Sequence, residues 1–209
     1  MVFKRGALIV LEGCDRCGKT TQSKKIYEYL VNNGIKCRHL SFPARNTPIG
    51  SIINSYLAKN LEISDESIHL LFSANRWELN KEIKDSIQNG TNLIVDRYSY
   101  SGIAFSTAKG LDYEWCKAPE VGLLKPDLVI YLNTNPEILA NRGNYGEERY
   151  EKVELQNSVK NVYNKMIKEQ GTNWLHVDAD DSVENVFKIL IEKVLVTIDE
   201  AASKPTELI

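Results

Sequence analysis

Gly13-Cys14-Asp15-Arg16-Cys17-Gly18-Lys19-Thr20 is the stretch that decides the fold. It fits the spacing G-x-x-x-x-G-K-[ST], follows an apolar run at residues 7–12, and opens a segment of helical period at residues 21–33 that Gly34 stops. Two glycines let the backbone curl so that successive N–H groups face a phosphate, and the helix N-terminus adds partial positive charge. Lys19 is then expected to reach the phosphoryl group in transfer and Thr20 to ligate Mg2+, with Thr21 completing an ATP site over residues 13–21. The same octet also contains Cys14-x-x-Cys17, a pattern open to a zinc or thioredoxin-like reading. Tetrahedral zinc needs further Cys or His at suitable spacing, and His39, His69 and His176 are scattered, none of them near a motif. Both thiols therefore read as small side chains of a phosphate loop.

Working outward, short apolar runs rich in β-branched residues recur at residues 36–42, 92–96, 127–132 and 174–178, giving five candidate strands. Helical period fills residues 48–59, 65–89, 136–141, 155–170 and 182–198, with Thr47 before Pro48 and Ser64 before Asp65-Glu66 as N-caps. Residues 142–154 are polar and charged and read as a lid, and the tail after Glu200 as disposable. Strands alternating with helices imply an α/β fold in which a parallel sheet is covered on both faces. No repeat or linker interrupts the chain, so residues 1–209 are expected to form one domain.

Composition narrows the partners. Lys plus Arg number 26 against 28 Asp plus Glu, a net of −2, and the pI is near 6.0, so no global basic field points to nucleic acid. No apolar run approaches the roughly 18 residues that span a bilayer, and residues 7–11 are too short for a signal sequence. Four cysteines in 209 residues read as reduced thiols, which makes the cytoplasm the expected location.

Several side chains downstream suit phosphate chemistry. Asp96 ends a candidate strand, where a carboxylate at the C-terminal edge of a parallel sheet faces the nucleotide and its Mg2+. Arg45 and Arg97 follow strand ends, while Arg142 and Arg149 bracket the lid; guanidinium groups converging on phosphates stabilise transition-state charge. Phe72 and Arg76, four residues apart on one helix face, offer a base a ring to stack on and a donor fork for its carbonyl. Against this stands a core stripe of Leu71, Leu79 and Ile83, into which Phe72 also fits.

Together these residues resemble one family. The run Gly6 to Gly13 into the phosphate loop, then Phe42-Pro43-Ala44-Arg45, Leu70 to Glu78, Asp96-Arg97-Tyr98, Lys125-Pro126-Asp127-Leu128 and Glu148-Arg149-Tyr150-Glu151, is similar to the thymidylate kinases over nearly the whole chain. The resemblance implies transfer of the ATP γ-phosphate to thymidine 5′-monophosphate (dTMP) with Mg2+, on a five-stranded parallel sheet, in a homodimer. It implies that Phe72 stacks on thymine, Arg76 reaches its carbonyl, Phe42 and Leu57 wall the pocket, and Arg45 and Arg97 hold the acceptor phosphate. It matches Asp15 to a carboxylate at the sugar 3′-hydroxyl and Phe105 and Tyr150 to residues closing on the sugar, with Ser101 also on the acceptor side and Arg142 on the ATP side. Residues 178–183 are where it puts adenine. Arg16 inside the loop resembles the eukaryotic-type arrangement, in which the catalytic arginine sits there rather than in the lid; Lys19, Asp96 and Arg97 complete the expected catalytic set. An acceptor phosphate is already anionic near neutral pH, so no general base is required. Two other classes compete: a kinase of another monophosphate or small metabolite, which gives no reason for Phe72 to Arg76, and a non-catalytic nucleotide-binding module, in which Lys19, Thr20 or Asp96 would be lost.

Overall fold

The computed structural model describes residues 4–135, 149–169 and 171–209. The elements follow the chain as β1 (Leu8–Gly13), α1 (Lys19–Asn32), β2 (Cys37–Ser41), α2 (Pro48–Leu57), α3 (Asp65–Gln88), β3 (Asn92–Asp96), α4 (Ser99–Ala108), α5 (Tyr113–Lys117), a 3-10 turn (Ala118–Glu120), β4 (Leu128–Asn133), α6 (Val153–Lys168), β5 (Trp174–Asp178) and α7 (Val183–Ala201). The five strands pair in parallel in the order β2-β3-β1-β4-β5. β1, β3 and all but the last residue of β4 are buried, as expected where helices cover both faces, and β2 is a half-exposed edge. Alternate residues of β1 divide the core: Ala7, Ile9 and Leu11 join one cluster with Ile26, Leu30 and Leu190, and Leu8 and Val10 join another with Ile83 and Ile87 of α3. Thr47 and Ser64 cap α2 and α3 as expected, accepting from the backbone N–H of Gly50 and Ser67.

Three expectations change. Residues 97–126 carry no expected element, yet they hold α4 and α5. α4 is buried on most of its circumference, so it presents no polar stripe to read. The helix expected at residues 155–170 starts at Val153, so the end of the expected lid is a turn at 149–150 followed by the start of that helix; the expected helix at 136–141 and the lid up to residue 148 lie outside the described residues. The tail after Glu200 is tied down: α7 runs to Ala201, and beyond it Lys125 and Gly122 donate backbone N–H groups to the carbonyls of Glu207 and Ile209 while Ile209 N–H reaches the Leu123 carbonyl. Ile209 packs against the α3-side core.

The second-last residue of the central strand is Glu12, a carboxylate with no solvent exposure. It accepts from the N–H groups of Tyr98 (2.9 Å) and Ser101 (3.2 Å), from the Ser101 hydroxyl and from Tyr163 Oη (2.9 Å). α4 has no side-chain cap of its own, so Glu12 satisfies its orphan N–H groups from a neighbouring strand. Replacing Glu12 by Leu should leave these four neutral donors unmatched, at about 1–3 kcal/mol for each that stays buried without a partner. A urea midpoint within error of wild type would contradict this role.

Candidate active site

All five strands point their C-terminal ends at one crevice, because the sheet is parallel and β1 lies between β3 and β4. Register places Asp96 opposite Leu11 and Ser41, level with the start of the phosphate loop. Gly13 and Gly18 both carry positive φ, and α1 begins at Lys19. The Lys19 ammonium folds back over the loop onto the Cys14 carbonyl, 3.4 Å from Cys17 Sγ. Thr20 Oγ1 donates to Asp96 Oδ2 at 2.5 Å. Among the described residues there is no group of three or more His, Cys, Asp or Glu arranged to hold a metal. Burial pushes the Cys14 thiol up to about 12, with Cys17 the next cause, which fits an inert loop side chain better than a redox centre.

Across from the loop lies a cavity of about 550 Å3. Every residue expected to bind the acceptor lines it: Phe42, Arg45 and Leu57 from β2 to α2, Phe72 and Arg76 from α3, Arg97, Ser101 and Phe105 from β3 to α4, together with Asp15 and Tyr150. Thr20 and Asp96 line it as well, whereas Gly13, Cys14, Arg16, Cys17, Gly18, Lys19 and Thr21 stand outside its wall, and Arg142 lies outside the described residues. Phe72 is half-buried, lining the cavity with Arg76 while also packing with Leu71 against the core, and Leu79 and Ile83 of the same helix pack on the other core cluster.

Arg97 adopts φ +68°, a left-handed conformation that strains a non-glycine residue and turns its side chain over the loop. Its guanidinium donates to Asp15 Oδ1, to the Gly13 carbonyl (3.1 Å) and to Ser101 Oγ (3.2 Å), and lies over the Phe105 ring at 5.4 Å. Burial opposes this charge, but Asp15, Tyr163, Asp96 and Glu12 outweigh it and hold the guanidinium firmly protonated. Phe105 and Tyr150 meet with ring centroids 5.5 Å apart. Arg76 makes a bidentate pair with the buried Glu120. Arg45, which is exposed, donates to Asn54 Oδ1 at 2.6 Å. Arg16 Nε meets Glu151 at 2.7 Å. Arg149, in contrast, is held away from the loop by Glu62 and the carbonyls of Tyr56 and Leu61.

Four participants escaped the sequence reading. Gln156 grips Asp15 twice, accepting from its N–H at 2.8 Å and donating to its carboxylate at 2.7 Å, and also donates to the Tyr150 carbonyl. Its signal was a glutamine on the inward stripe of α6 with Val159, Tyr163 and Met166. Glu12 and Glu120 are the others with an acid in a buried place. His39 corrects the expectation that no histidine lies near a motif: it lines the cavity and bonds Ser23 Oγ at 2.9 Å.

A strand-borne phosphate loop facing an aromatic, arginine-lined cavity marks the class of P-loop phosphotransferases. The family model for thymidylate kinase matches residues 11–189. The chain is 49% identical to the thymidylate kinase of Arabidopsis thaliana over 100% of its own length and 78% of that protein. It is 45% identical to that of Homo sapiens, over 99% of this chain and 96% of the relative. A solved thymidylate kinase structure from Candida albicans superposes with a TM-score of 0.86 at 34% identity, covering 98% of each chain. The chain belongs to the thymidylate kinase family.

Burial lowers the proton affinity of His39, against a partial rise from Asp96, and of His69, which bridges Ser106 Oγ and the Cys116 carbonyl. Both take a proton less readily in the folded chain than in the unfolded chain, where histidine titrates near pH 6.5. Their contribution to stability is therefore complete above that pH and lost progressively below it. The thermal midpoint should fall between pH 7 and pH 5, and His69→Gln should flatten that slope; an unchanged slope would reassign it to other groups.

Proposed function

We propose that this chain, an ATP-dependent nucleoside monophosphate kinase, transfers the γ-phosphate of ATP to dTMP to give thymidine 5′-diphosphate. The observation that carries the reading is the single cavity in which Phe72 and Arg76 stand at one side and the Thr20–Asp96 pair at the other. Thymine would stack on Phe72 with a carbonyl toward Arg76, between Phe42 and Leu57. Its sugar would lie against Phe105 and Tyr150 with the 3′-hydroxyl on Asp15, and its phosphate would meet Arg45 and Arg97, beside Ser101. An acceptor phosphate oxygen attacks the γ-phosphorus, the bond to the β–γ bridging oxygen breaks, and ADP leaves. The attacking oxygen is already anionic, so catalysis reduces to alignment and charge neutralisation.

The loop at residues 13–21 would wrap the ATP phosphates, with Lys19 moving from the Cys14 carbonyl onto the transferring group; residues 178–183 would border adenine, and Arg142 would approach from the lid. Thr20 and Asp96 supply a hydroxyl and one carboxylate, hard oxygen donors of the kind Mg2+ takes alongside nucleotide phosphates. An Mg2+ ion held by Thr20 and Asp96 would supply positive charge to offset that of the nucleotide phosphates. Arg16, oriented by Glu151, is the catalytic arginine of this reading, since Arg149 is committed to Glu62 and backbone carbonyls. We further propose a homodimer formed through α2 and α3, where Ile52, Leu70 and Trp77 stay exposed; sedimentation at the 23.7 kDa chain mass would overturn it. No helix among the described residues is long and apolar enough to cross a membrane. The proposed cytoplasmic site of action rests on four cysteines read as reduced thiols, and a net charge of −2 gives no basic field for nucleic acid.

With ATP and Mg2+, purified protein should convert dTMP to the diphosphate, and no product would refute the assignment. Lys19→Ala should abolish turnover while the far-ultraviolet spectrum stays native. Arg16→Gly should lower kcat by about 10³-fold, the low end for arginine fingers, with little change in either Michaelis constant. A kcat within a few-fold of wild type would transfer the catalytic charge to Arg142.

A further inference from the structure

Arg76 and Glu120 form the most deeply buried ion pair in the described residues, at 3% and 0% side-chain exposure. Nε and Nη2 of the arginine both face the carboxylate, Nε at 2.8 Å from Oε2. On the other side the guanidinium lies against the backbone of α4: a Cβ placed on Gly102 would stand 2.5 Å from Nη2 and 3.3 Å from Nη1. Between these two walls the fork has one orientation, and the edge left for the cavity carries N–H donors alone.

Glu120 is itself held from two directions. Ser73 Oγ and Trp77 Nε1 of α3 both donate to the Pro119 carbonyl, at 3.0 and 2.8 Å. Downstream, Gly122, Leu123 and Lys125 exchange backbone bonds with Glu207 and Ile209 at the end of the chain. Arg5 anchors the same tail, donating to the carbonyls of Lys204 (2.6 Å) and Pro205 (3.2 Å) while paired with Asp127. An ion pair so far from water is weak evidence for stability and is better explained by the orientation it enforces.

We propose that Glu120 is a positioning residue that sets base selectivity through Arg76, and that the C-terminal segment 204–209 serves as the clasp that keeps Glu120 in register. This rests on the acceptor reading above and deepens it. A donor-only edge accepts a base carbonyl and rejects an exocyclic amine at the same position, so the fixed fork favours dTMP over dCMP. A freed fork rotates, finds other partners and loses that discrimination.

The test is steady-state kinetics with dTMP and dCMP on the full chain, Glu120→Gln and a deletion of residues 206–209, with the thermal midpoint of each. Glu120→Gln should raise KM for dTMP about tenfold, keep kcat within about twofold, leave KM for ATP unchanged and reduce the dTMP/dCMP ratio of kcat/KM about tenfold. The deletion should shift KM and the ratio in the same direction by about three- to fivefold, and it decides the matter if Glu120→Gln does not fold. Wild-type KM and selectivity in the folded variants would overturn the proposal, as would kcat and both Michaelis constants deteriorating together with the midpoint. Wild-type protein inert toward dTMP would instead defeat the acceptor reading and this proposal with it.

Discussion

Glu12 is the constraint on which the site depends. Taking a carboxylate out of water costs several kcal/mol unless protein donors replace its hydration. Its four donors come from the turn after β3, the first turn of α4 and the inward face of α6. Satisfying one buried charge therefore fixes where β3 leaves the sheet, where α4 begins and how α6 crosses above them. Arg97 lies between Asp96 and Tyr98 in that fixed turn, with its N–H on the Leu11 carbonyl, so its strained φ is imposed by neighbours that cannot move. The phosphate loop inherits the same rigidity through Asp15, which Arg97 and Gln156 grip from opposite sides.

The Phe72 to Glu78 segment does comparable work on the acceptor side. Phe72 faces the cavity, while Ser73 and Trp77 hold the Pro119 carbonyl. Asn75 accepts from the Ala44 N–H at 2.7 Å and donates to Thr47 Oγ1 at 2.9 Å, tying down the loop that carries Phe42 and Arg45. Helical spacing spreads these side chains over two flanks, so one stretch of α3 fixes two walls of the same pocket.

What the sequence disclosed follows from the range of the interactions. The strands and the phosphate loop were legible because their signals are local: apolar β-branched runs, two glycines, a lysine at fixed spacing. Phe72, Arg76, Arg45 and Arg97 stood out through ordered motifs spread over the chain, and all four line one cavity. Gln156 and Glu120 did not, since their partners lie 141 and 44 residues away and nothing in spacing links them. Glu12 read as the end of an apolar run because a buried acid and an exposed one look alike until the donors are in place. α4 lacked a stripe for the opposite reason, being enclosed nearly all round. The tail looked expendable because a few backbone bonds to residues 122–125 leave no mark in composition.

The arginines divide by how far the ion pairs they form are open to solvent. Arg16–Glu151 and Arg97–Asp15 are partly open, with arginine side chains at 26% and 19% exposure, whereas Arg76–Glu120 is closed. Two unit charges at 4 Å interact by about 4 kcal/mol at an effective dielectric of 20, and a dianionic phosphate at the same distance offers roughly twice that. Phosphate therefore displaces or shares a carboxylate wherever it can approach. In an open pair the carboxylate acts as a placeholder, orienting the fork and limiting self-repulsion until an anion arrives. In the closed pair no exchange is possible, and the arginine retains only donors, suited to a neutral carbonyl. Arg149 belongs to neither group, because its outer partner Glu62 is 80% exposed and its other bonds go to backbone. Identical side chains thus differ in the solvent access of the ion pair each forms, and the proposed assignment of Arg16 and Arg97 to phosphate and of Arg76 to the base follows that division.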